Sequence, residues 1–83
     1  MKIDGVEFES HTDMRSGNLV ITGRRGNVAL STLALVEPRP RLWGWPSPTK
    51  EERRRHAEAC REVERRNREY ELAALSLILR DMP

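Results

Sequence analysis

The run TKEERRRHAEACREVERRNREYELAALSLILRDM, residues 49–82, decides the architecture. It contains no proline or glycine, so nothing in it interrupts a helix of about nine turns. Thr49 with Glu52 matches a capping box, while Ser47 followed by Pro48 offers a competing start with a hydroxyl N-cap and a proline at the first helical position. Acid-first pairs four residues apart, Glu51 with Arg55, Glu62 with Arg66 and Glu64 with Arg68, support the helix locally. Glu51 and Glu52 also oppose the positive end of its dipole. The first half is therefore expected to be helical even where it packs on nothing.

Apolar positions say where the helix is buried. Cys60, Val63, Asn67, Tyr70, Ala74 and Leu77 trace one seam at alternating intervals of three and four. Past Tyr70 the seam widens, because Leu72, Ala73, Ala74, Leu75, Leu77, Ile78 and Leu79 wrap most of the circumference. One sheet face cannot cover that surface, and burying an aliphatic side chain is worth about 1.5 to 3 kcal/mol. A second body is implied. Self-association into a homodimer through Leu72, Leu75 and Leu79 supplies one. A parallel coiled coil with Asn67 at a core position supplies another, and a monomer whose loops and tryptophans cover the helix is the remaining arrangement.

Upstream, residues 37–48 read as an extended connector, since Pro38, Pro40, Pro46 and Pro48 fix φ, remove donors and hold each preceding residue out of the helical region. Trp43 and Trp45, separated by Gly44, stand out in it: indole rings bury large areas and are enriched at binding hot spots. They serve equally as plugs for a core with one phenylalanine and one tyrosine. Residues 1–36 alternate turn formers with short β-branched runs, which predicts strands near Val6 to Ser10, Asn18 to Gly23 and Asn27 to Val36. Gly23-Arg24-Arg25-Gly26-Asn27 is the expected hairpin turn, with Arg24 and Arg25 at its tip. The expected fold is thus α+β: a three-stranded antiparallel meander (1–36), the connector (37–48) and one long C-terminal helix (49–82), in a single domain spanning 1–83.

Composition narrows the function. At 83 residues, 37% hydrophobic and 34% charged, the chain encloses one thin core. Its single cysteine, Cys60, excludes an intramolecular disulfide. No apolar signal-peptide core follows Met1, and no stretch is long and apolar enough to span a bilayer, so the expected location is the cytoplasm, with no membrane partner. The net charge is +2. Between Thr49 and Glu71 the bases Lys50, Arg53, Arg54, Arg55, Arg61, Arg65, Arg66 and Arg68 are nearly matched by Glu51, Glu52, Glu58, Glu62, Glu64, Glu69 and Glu71, which leaves little to attract phosphate.

Catalytic patterns are weak. His56 and Cys60 share a helical face, and His11 with Asp13 could join them, but no second close ligand pair marks a metal site and no third group orients a thiol-imidazole pair. No enzyme activity, cofactor or metal is expected. The sequence reads instead as a non-enzymatic protein-binding module. Small single domains of this kind are typical of phage and mobile-element accessory or inhibitor proteins, anti-CRISPR proteins among them, which occlude a surface of a larger protein or protein–nucleic acid machine. The expected contact residues are Trp43, Trp45, Arg24, Arg25, Arg39, Arg41 and Tyr70. The alternative is a small nucleic-acid-binding module that uses the arginine-rich loops, Arg39, Arg41 and the Arg53 to Arg55 cluster.

Overall fold

The computed structural model describes residues 1–42 and 47–83. Four strands, β1 (Lys2–Ile3), β2 (Val6–Thr12), β3 (Leu19–Arg25) and β4 (Val28–Ala34), precede one helix, α1 (Lys50–Asp81). The strands form an antiparallel sheet in the order β1-β2-β3-β4. The α+β class and the meander followed by a long helix are as the sequence implies. The strand count is not: the sheet has four strands, not three.

The added strand comes from Asp4-Gly5, whose φ values of 51° and 81° give the two successive left-handed residues of a type I′ turn. This folds β1 back on β2 with Ile3 opposite Val6. The Phe8 N–H donating to the Met1 carbonyl at 2.8 Å continues the pairing. A two-residue strand carries no alternation to read, but the Asp-Gly pair is itself a strong hairpin signal.

The next hairpin turns at Gly26-Asn27, because β3 runs to Arg25 and pairs it with Val28. Arg24 and Arg25 therefore lie within a strand and not at a loop tip. Arg25 is tied down by two donations, to the Asp4 carbonyl at 2.6 Å and the Pro83 carbonyl at 3.1 Å, which fasten the C-terminus to the β1–β2 turn.

One sheet face carries the core. Phe8 opposes Gly23, and Gly23 opposes Leu30, with Ile21 in the next inward row. Val6, Phe8, Ile21 and Ala34 meet Ala74, Leu75, Ile78 and Met82 of the helix end in one buried cluster. Gly23 is what lets the helix approach. A Cβ there would lie 2.5 Å from Ile78 Cγ2 and 2.9 Å from Phe8 Cε1, closer than side chains tolerate.

Thr49, not Ser47, caps the helix: its Oγ1 accepts from the Glu52 N–H at 3.1 Å, and its hydroxyl donates to Glu52 Oε1. With 32 residues α1 is about 48 Å long, whereas a seven-residue strand spans about 23 Å. Its buried residues begin only at Val63, so the first half reaches beyond the sheet. The radius of gyration, 17.1 Å, exceeds the ~12 Å of a compact chain of this length, as a projecting helix requires.

Candidate partner-binding surface

The projecting half of the helix is held by its own charges and by the connector. Arg54 bridges Glu51 at 2.6 Å and Glu58 at 3.1 Å, Arg55 reaches Glu51 at 3.2 Å, and Arg65 lies between Glu62 and Glu69. Guanidinium donation from Arg54 holds the Glu51 carboxyl below its ordinary range, and donation from Arg65 does the same for Glu62. Of the three acid-first pairs, Glu51–Arg55 and Glu62–Arg66 form. Glu64 instead pairs with Arg39 of the connector at 2.7 Å.

That last pair belongs to a series which straps the connector along the helix. Asn67 grips the backbone of Glu37 with both ends of its amide: Oδ1 accepts from the Glu37 N–H at 2.8 Å and Nδ2 donates to the Glu37 carbonyl at 3.0 Å. Arg66 Nε donates to the Glu37 carboxylate at 2.6 Å, and this raises the Arg66 pKa. Further along, His56 Nε2 lies 2.8 Å from the Pro40 carbonyl. A carbonyl only accepts, so Nε2 carries a hydrogen. Cys60 Sγ sits 3.5 Å from Nε2.

The strap assigns several sequence candidates to structural work. Asn67 clasps its own chain's connector, and the seam residue expected to set a coiled-coil register is thereby engaged within the chain. Arg39 is neutralised by Glu64. Arg41 is exposed just before the undescribed segment, and Tyr70 is half-buried on the helix flank. Arg24 stands on the outer sheet face opposite Glu7. Trp43 and Trp45 lie outside the described residues.

The three leucines assigned to self-association are split. Leu75 is 6% exposed within the chain's own core, and Leu79 is half-buried and packs against that core. Leu72 remains 55% exposed. Sequence spacing predicts how much apolar surface the last turns carry, but not that a strand glycine lets the helix sink far enough to enclose Leu75 and Ile78.

Exposed apolar side chains gather instead beside β4. Leu33 is 59% exposed on the outer face, Leu35 and Val36 follow it, and Leu77 is 43% exposed on the helix flank nearest β4. There Leu77 shares a hollow with Leu30, Ser31 and Thr32. The sequence signal was present in Val28 to Val36, a run without charge or proline.

Among the described residues no group of three or more His, Cys, Asp or Glu is placed to hold a metal ion, and no helix is long and apolar enough to cross a membrane. Comparison with protein-family models, with curated proteins and with solved structures finds no match to this chain.

Proposed function

We propose that the chain is a non-enzymatic protein-binding module that presents its connector and the projecting half of α1 to a larger cytoplasmic protein or protein–nucleic acid complex. One observation carries the reading: the helix extends far past the sheet that anchors it, and Asn67, Arg66, Glu64 and His56 hold the connector along it. A helix that only closed a core of this size would need about half that length. In sequence the connector carries Trp43 and Trp45, and tryptophan is among the residue types most enriched at binding hot spots. Occlusion of a partner's surface suits so small a domain, which is the mode of action of phage and mobile-element inhibitors such as anti-CRISPR proteins.

The test is capture of partners from cell extract by the wild-type chain and by a Trp43→Ala, Trp45→Ala variant. The reading predicts a partner that is retained at moderate salt and lost by at least tenfold with the double variant. Binding of random-sequence DNA or RNA that collapses between low and moderate salt and disappears with Arg24→Ala and Arg41→Ala would overturn it, because counterion release marks phosphate-driven binding.

A further inference from the structure

The two edges of the sheet are built differently. The β1 edge is two residues long and carries Lys2, so it is short and charged, as guarded edges are. The β4 edge is seven residues long, and from Val28 through Val36 it has no charge and no proline in a chain that is 34% charged. Within the strand itself no charge or proline guards against edge pairing, and the nearest charge in the hollow beside Leu30, Ser31 and Thr32 is Asp81 of the helix end. Among the described residues nothing lies against that edge in a strand pairing.

Backbone parity tells which groups face outward. The Phe8 N–H is used by Met1, so the even residues of β2 face β1 and its odd residues face β3. Glu7, Glu9 and His11 oppose Arg24, Thr22 and Val20, which leaves Leu19, Ile21, Gly23 and Arg25 to bond with Ala34, Thr32, Leu30 and Val28. The N–H and C=O groups of Ala29, Ser31 and Leu33 therefore point out of the sheet. An antiparallel two-fold centred on Ser31 sets Ala29 opposite the second copy's Leu33 and Ser31 opposite its own counterpart. All pairs then have matching parity, and about six backbone hydrogen bonds form.

The side chains agree with that register. On the outer face, alanine, serine and leucine meet with no like charges opposed, the arrangement that would otherwise forbid self-pairing. On the helix face, α1 packs over β3 and β4. Strands about 4.8 Å apart put the two helix axes about 10 to 14 Å apart across the dyad, within reach of large side chains. Leu77 borders that gap, sharing a hollow with Leu30, Ser31 and Thr32 of β4, and a second, mainly apolar hollow on the helix is lined by Ala73, Ser76, Leu77 and Arg80.

We propose that two copies of this chain join through β4 into one continuous eight-stranded sheet, with the Leu77 flanks of the two helices closing over the seam. This surface is separate from the connector, so either inference can fail alone. The test is sedimentation over a range of concentrations, combined with residue-resolved amide exchange. The expected result is a dimer in which the Ala29, Ser31 and Leu33 amides exchange slowly and become fast on dilution, while Leu30 and Thr32 stay protected throughout. Ser31→Lys should yield a folded monomer, and Leu33→Lys, at a residue already exposed in the single chain, should do the same; Leu72→Lys should remain dimeric. A monomer at high concentration with fast exchange at all three amides would overturn the proposal. So would a dimer untouched by both lysine variants, or protection of the three amides only when a different protein's strand is added.

Discussion

The two halves of α1 are held by different physics. From Ala74 to Met82 the helix is fixed by burial against Val6, Phe8, Ile21 and Ala34. From Lys50 to Glu62 none of its residues is fully buried, and what supports it is a threonine cap, ladders of arginine and glutamate, and a connector strapped alongside. A helix can thus be continuous in geometry and discontinuous in what stabilises it. Exposed ion pairs contribute little singly and are screened by salt, so the projecting half should open readily while the anchored half opens only with the core.

Substitutions separate the halves. Ile78→Ala should cost about 2 to 5 kcal/mol by leaving a cavity in a core with few members, read as a large drop in thermal midpoint. Gly23→Ala should cost about 1 to 3 kcal/mol, since the new methyl collides with Ile78 and Phe8 and pushes the helix off the sheet; a neutral outcome would show that the helix does not sit so close. Asn67→Ala should cost about 1 to 2 kcal/mol by removing both bonds to the Glu37 backbone. It should also release the connector, seen as faster exchange of the Glu37 amide.

Thr49→Ala should remove about 1 kcal/mol from the first turns alone, visible as a small loss of helical signal with the thermal midpoint unchanged. The smallest effect is that of acid. The Glu51 and Glu62 carboxyls lie below the ordinary glutamate value of 4.5 because guanidinium groups donate to them. Their contribution is complete above that value and is lost as pH falls through the depressed folded value. Helical signal from the projecting half should therefore fade at acid pH before the core melts, and added salt should mimic part of the loss at neutral pH.

Much of this was legible in the residues. Thr49 with Glu52, the absence of helix breakers and the short β-branched runs between turn formers follow from local chemistry, and the structure places those elements within a few residues of their expected bounds. Three features depended on tertiary packing. Leu75 is enclosed because Gly23 admits the helix, and no count of apolar residues on one helix reveals a glycine on a facing strand. Glu64 turned from Arg68 to Arg39 because the connector runs past it. Asn67, polar on an apolar seam, found its partners thirty residues earlier in the chain. The unguarded edge at Val28 to Val36 could have been read from composition alone, but only strand order makes it an edge.

The division of α1 is tested most directly by residue-resolved amide exchange in the wild-type chain and in Ile78→Val, a variant expected to weaken the core by about 0.5 to 1.5 kcal/mol. Protection from Ala74 to Asp81 should fall by the same factor as protection in β2 and β3, with rates from Arg54 to Glu62 unchanged. Loss of protection by one common factor along the whole helix would contradict the account, because it would show a single cooperative body in place of an anchored half and a projecting one.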